Sequence, residues 1–171
     1  MGKSRHAQKN GIIEAGIHNG ISGDTPAMLS NLNPDKSTVL VVDDEIGALT
    51  LMGIIFERGG FNVFKARSSV EAFTLLDQHT VDLITSDVMR PGMSGIEFCR
   101  VLRSREDTRS TPIIIISARG DTQSIRQGIE AGANEYLVKP LLHYNLPEIA
   151  RRLIAEVNRH RSSGTGSRGH R

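Results

Sequence analysis

Residues 112–118 read PIIIISA, four isoleucines in a row between a proline and a serine. The run is too short for an ordinary helix, and its β-branched side chains suit a pleated surface. It also has no water-facing side. Only a sheet covered on both faces accommodates such a strand, which is the mark of a parallel sheet in an α/β protein.

The rest of the chain supplies the other strands and the helices that would cover them. Upstream, STVLVVDDE (37–45), FNVFKA (61–66) and VDLITSD (81–87) read as strands, and EYLVKP (135–140) follows downstream, stopped by Pro140. Between them lie helical patterns. Leu49, Met52 and Phe56 share one face of the first helix, which Gly59-Gly60 ends. Ser68 or Ser69 caps the second, the third carries Ile96, Cys99 and Leu102, and Asp121 or Thr122 starts the fourth. The fifth, LPEIARRLIAEVNRHR (146–161), has Pro147 in its first turn and places Ile149, Leu153 and Val157 inward. Five strands alternating with five helices through short connections predict a doubly wound α/β fold, with helices on both faces of a five-stranded parallel sheet. The strand order 2-1-3-4-5, flavodoxin-like, puts strands one and three side by side at the switch point, and ligands of such sheets bind beyond the carboxyl ends of the strands.

Size and composition set the limits. The chain has 171 residues, 38% of them hydrophobic and only 4% aromatic, so one domain with an aliphatic core and extensions is expected. Residues 1–36 read as a flexible extension, 37–161 as the folded domain and 162–171, SSGTGSRGHR, as a disordered basic tail. Charge is uneven: +1 over residues 1–36, −3 over 37–142 and +4 over 143–171. Cys99 is the one cysteine, so no disulfide can form within the chain, and a cytoplasmic home is expected. No apolar stretch approaches the roughly 18 residues that span a bilayer, and the N-terminus has neither a signal-peptide core nor a myristoylation pattern. The six histidines show no metal-ligand spacing.

Function is read at the strand ends. Strand one ends in Asp43-Asp44, strand three in Asp87, strand four in Ser117-Ala118 and strand five in Lys139-Pro140. If strands one and three are neighbours, three carboxylates converge. Two carboxylates about 5 Å apart repel by roughly 3 kcal/mol at an effective dielectric of about 20. Three such pairs would cost on the order of 10 kcal/mol, as much as a whole domain's stability. A hard divalent cation would offset that cost, and Mg2+ commonly takes few carboxylates plus phosphate and water. Lys139 adds a positive charge able to reach a phosphate. A carboxylate nucleophile, a metal, a cation and the Ser117 hydroxyl together suit phosphoryl transfer onto Asp87.

Four segments in this order and spacing, VLVVDDE, SDVMRPGMSG, IIIISA and EYLVKP, resemble the receiver domain of two-component response regulators, over about Ser37 to Arg161. The resemblance implies a signalling module rather than a conventional enzyme, one that takes a phosphoryl group from a histidine kinase or histidine phosphotransfer protein and promotes its own phosphorylation and dephosphorylation. It makes Asp87 the phosphoacceptor and Asp44 a direct Mg2+ ligand, joined by Asp87 and the backbone carbonyl of Met89, with Asp43 mainly acting through the ligands. Ser117 becomes the switch hydroxyl, Lys139 the phosphate-pairing lysine and Tyr136 the aromatic that turns inward on activation. The Lys139-Pro140 bond is expected to be cis. Output would pass through the face formed by the fourth and fifth helices and the fifth strand (the α4-β5-α5 face in chain order) to a downstream protein or a phosphorylation-dependent homodimer.

Two positions depart from the pattern: Arg90 stands where Met is usual and Ser94 where Asp is usual. Both read as loop variation without effect on the chemistry. Met89 and Arg119 fall where the family tunes dephosphorylation, and because Met89 cannot orient a water, a long-lived phosphoryl state is expected. The expected protein is a stand-alone receiver with no second domain. Its rivals are a non-phosphorylated interaction module, a regulator that binds nucleic acid through its basic tail, and a fragment of a longer regulator. The tail arginines read instead as the solvated face of a docked helix, and a membrane partner is not expected.

Overall fold

In the computed structural model, which describes residues 32–164, five short strands form one parallel sheet in the order β2-β1-β3-β4-β5. They are β1 (Thr38–Val42), β2 (Asn62–Ala66), β3 (Leu83–Asp87), β4 (Ile113–Ser117) and β5 (Glu135–Val138). The helices are α1 (Ile46–Arg58), α2 (Ser69–Gln78), α3 (Gly95–Ser104), α4 (Thr122–Glu130) and α5 (Leu146–Gly164). A 3-10 turn, Leu141–His143, precedes α5 and was not expected from the sequence. The predicted class and strand order are those observed. The expected extension lies outside the described residues up to residue 31, as does the tail beyond residue 164.

Both faces of the sheet are covered, and the two-residue period of a strand sorts the side chains between them. Val39, Val41, Leu83 and Ile114 pack with Leu49, Met52 and Phe56 of α1 and with Leu146, Ala150 and Leu153 of α5. Leu40, Val42, Ile84, Ile113 and Ile115 pack with Ala72 and Leu76 of α2 and with Phe98, Cys99 and Leu102 of α3. All four isoleucines 113–116 are buried, which explains why a run without a polar face can be a strand.

Local chemistry starts the helices as expected. Ser68 caps α2, accepting the Glu71 N–H at 3.1 Å, and Asp121 caps α4, accepting the Ser124 N–H at 2.9 Å. Ser94 and Glu97 form a reciprocal capping box at α3, so Ser94 starts a helix rather than merely varying a loop. The inward face of α5 is rotated from the expected one. Leu146, Ala150, Leu153 and Ile154 are buried, while Ile149 and Val157 are only half-buried. Packing against the sheet selects the buried stripe, which periodicity alone does not encode. The helix also continues to Gly164, past the expected boundary at Arg161.

Candidate functional site

The strands' carboxyl ends at the switch point carry the polar groups. In register, Val42 of β1 sits opposite Ser86 of β3, and Asp87 opposite Ile116 of β4. Asp43 and Asp87 are therefore neighbours one step beyond the sheet. Both are buried, and the Lys139 ammonium lies between them, 2.9 Å from Asp87 Oδ1 and 3.5 Å from Asp43 Oδ2. The Lys139-Pro140 peptide bond is cis.

Backbone amides hold each carboxylate. The Glu45 N–H donates to Asp43 Oδ1 at 3.0 Å, and the Met89 N–H donates to Asp87 Oδ2 at 2.6 Å. Burial raises the Asp43 pKa above the ordinary carboxylate value, with a contribution from the charge on Asp87; the Glu45 amide and Lys139 only partly offset it. Burial also opposes the charge on Lys139, yet the hydrogen bond and attraction of Asp87, with Asp43 behind, hold its pKa above the usual lysine value. A lysine wedged between two acids cannot satisfy both equally, and Asp87 has the shorter contact.

Of the three strand-end carboxylates, Asp43 and Asp87 pair with the lysine. Asp44 is half-buried and takes part in no hydrogen bond or ion pair, and among the described residues no three His, Cys, Asp or Glu side chains form a ready-made metal cage. Successive residues at a strand end point to opposite sides, so only one of the two adjacent carboxylates meets Lys139. The donor set still fits a hard cation that takes one or two carboxylates and otherwise water.

Ser117 is fully buried at the end of β4, and its Oγ accepts the Arg119 N–H at 3.1 Å. Its carbonyl accepts the Lys139 N–H at 2.8 Å, which ties the hydroxyl to the lysine's strand. Tyr136 is half-buried on the opposite face of β5, and its hydroxyl donates to the Arg119 carbonyl at 2.8 Å. Arg119 thus joins Ser117 to Tyr136 through its backbone. The Met89 side chain projects outward, 60% exposed.

Arg90 was the residue misjudged. Its side chain is 8% exposed. Nε donates to the Asp87 carbonyl at 3.1 Å, Nη2 donates to Ser86 Oγ at 3.1 Å, and the guanidinium lies 5.1 Å from the centre of the Phe98 ring. Burial lowers its pKa, and the charges of Asp87, Asp44 and Asp43 pull it back up. A warning was available in the sequence: an arginine at a position usually held by methionine replaces an apolar group.

The sheet order, the switch point and a lysine clamped between strand-end carboxylates define a class, the doubly wound signalling domains built around an acidic pocket. Residues 39–151 match the response regulator receiver domain, and the chain belongs to that family, the receivers of two-component signalling. The phosphate regulon transcriptional regulatory protein PhoB of Rhizobium meliloti is 38% identical over 121 residues, covering 71% of this chain and 52% of that protein. The DNA-binding response regulator MtrA of Mycobacterium tuberculosis is 32% identical over 124 residues, covering 72% and 52%. The chain spans about half the length of the curated relatives it matches. Among solved structures, the chemotaxis protein CheY4 of Vibrio cholerae superposes with a TM-score of 0.65 at 29% identity, over 69% of this chain and 98% of that one. A response regulator from Thermotoga maritima gives a TM-score of 0.63 at 32% identity, over 70% and 98%.

Proposed function

We propose that Asp87 accepts a phosphoryl group from a phosphohistidine on a histidine kinase or phosphotransfer protein, and that the modified domain switches its contacts with other proteins. The observation that carries this reading is the Lys139 ammonium 2.9 Å from Asp87 Oδ1, at the open end of the sheet. An Asp87 oxygen attacks phosphorus, the P–N bond breaks, and its electron pair leaves with the imidazole nitrogen. Lys139 pairs with a phosphoryl oxygen, and the Ser117 hydroxyl, whose hydrogen is free to be donated, takes another. Mg2+ held by Asp44, Asp87 and the Met89 carbonyl, with Asp43 behind them, would neutralise charge on the phosphoryl oxygens.

A groove of about 950 Å³ beside Asp87 supports docking of a protein donor. Its walls include Leu51 of α1 and Leu142 of the 3-10 turn, which are 56% and 92% exposed. Apolar side chains flanking a charged centre suit a partner helix that carries its reactive group to the acid. For the output, drawing the Ser117 hydroxyl toward a phosphoryl oxygen competes with its bond from Arg119, and that same residue's carbonyl holds Tyr136. The α4-β5-α5 face is then the surface that changes, toward a downstream protein or a second copy.

Nucleic acid is not part of the proposal. Arg151 of α5 bonds the Gly59 carbonyl and pairs with Glu148, and Arg152 pairs with Glu135 and Glu156. These arginines are engaged by the domain itself. The free, buried Cys99 suits a reducing cytoplasm.

The test is intact mass after incubation with acetyl phosphate and Mg2+. Wild type is expected to gain one phosphoryl group, and a chelator or Asp87→Asn is expected to prevent it. An adduct that persists in Asp87→Asn would place the chemistry elsewhere. Decay of the adduct in the same samples checks the slow hydrolysis expected from Met89; release within seconds would remove that expectation.

A further inference from the structure

Arg90 is the one feature of the site that the family chemistry does not use. A surface arginine lays its aliphatic stem on the protein and keeps its guanidinium in water. Here the head is inside. It is pinned between Phe98 of α3 and two groups of β3, the Asp87 carbonyl and Ser86 Oγ, each 3.1 Å away. Ser86 Oγ in turn donates to the same Asp87 carbonyl at 3.1 Å. The remaining guanidinium nitrogen, Nη1, is buried and has no hydrogen-bond partner among the described residues. A buried positive charge with one donor unanswered is unfavourable unless a nearby field supports it. Three carboxylates supply that field: Asp87, Asp44 and Asp43 all attract this guanidinium.

The placement serves two ends. The hydrogen bonds to the Asp87 carbonyl and to Ser86 fix the end of β3 from behind, while the Met89 amide fixes the Asp87 carboxylate in front. The charge is also permanent, since an arginine does not deprotonate in proteins. The acidic site therefore contains a second resident cation besides Lys139, one held by packing rather than free to swing away.

We infer that Arg90 acts on the acidic site chiefly as a built-in counter-ion, which weakens its affinity for divalent metal. The inference rests on the receiver reading above. A like charge close to the metal position opposes a divalent ion twice as strongly as a monovalent one. Because the charge is buried, added salt screens it poorly.

The direction of the effect separates this role from simple support. If Arg90 only braced the loop, removing it would loosen the site and weaken metal binding. If it is a competing cation, removing it tightens binding. Calorimetric titration of the full chain with MgCl2 distinguishes the two for wild type, Arg90→Met, which fills the space against Phe98 without charge, and Arg90→Lys, which keeps the charge. Arg90→Met is expected to bind Mg2+ about fivefold more tightly or better, at low and at high salt, with Arg90→Lys within about twofold of wild type. If Arg90→Met loses its cooperative urea transition, Arg90→Gln takes its place, with the same expectation. Equal or weaker Mg2+ binding by the uncharged variant, with the acetyl phosphate adduct still formed, overturns the inference and leaves the receiver reading standing. No Mg2+ binding and no adduct in either protein overturns both.

Discussion

Asp43 and Asp87 are buried carboxylates that share one ammonium, and the balance between them has a measurable sign. The folded-state pKa of Asp43 is raised above 3.8, because burial penalises its charge and Asp87 repels it. The folded state therefore holds its proton more tightly than the unfolded chain does. Stability from this group is fully present below the unfolded pKa and is lost as pH rises through the folded one. In the presence of a chelator, Asp43→Asn is expected to be more stable than wild type at pH 7, by on the order of 1 kcal/mol, and to lack that loss. Urea melts from pH 3.5 to 7 check this. A destabilised variant would show that the Lys139 pairing outweighs burial and repulsion. That Asp87, Lys139 and Ser117 stand together at the strand ends was legible in the sequence, because strand ends in a doubly wound sheet converge by topology. That Asp44 stands apart from the Asp43–Lys139–Asp87 cluster was not, since it depends on side-chain direction past the last strand residue.

Among the elements, α4 is shaped around a missing side chain. A Cβ on Gly128 would come 2.5 Å from Tyr136 Cδ2 and 3.2 Å from Ile115 Cδ1. The helix thus accepts glycine's cost, about 1 kcal/mol relative to alanine, to leave room for the ring. Gly128→Ala is expected to be a net destabilisation of about 1–2 kcal/mol, because overpacking outweighs the gain in helix propensity. It is also expected to move the Tyr136 ring, seen as a change in tyrosine emission; the chain has only two tyrosines and no tryptophan to obscure it. A stabilised variant with unchanged emission would mean that the ring yields without consequence. The second and fourth helices were foreseeable from their caps, since Ser68 and Asp121 act within one turn of chain, whereas the Ser94 cap of α3 was read as a loop. The inward stripe of α5 was not, because packing against the sheet set its rotation.

Across the whole molecule, both hydrophobic clusters lie among residues 32–164, one on each side of the sheet. One face draws on helices from opposite ends of the domain, α1 with α5, and the other on the consecutive helices α2 and α3, while every strand between them is shared. The domain is therefore expected to unfold in one cooperative urea transition, with coincident midpoints by circular dichroism and tyrosine emission. Two separated midpoints would mean that the two faces of the sheet come apart independently.

By itself the sequence determined the strands, the starts of α2 and α4, the parallel order and the polar residues that stand at four strand ends. Those follow from local periodicity, caps and topology, which act over a few residues or through the rules of chain crossing. Tertiary structure alone decided which carboxylates face Lys139, how α5 turns on the sheet and whether Arg90 lies in water or inside. Each of those is a competition between distant groups for the same space and charge: Phe98, Ser86 and the Asp87 carbonyl hold the Arg90 guanidinium in the interior, and no pattern in DVMRPG records that they meet.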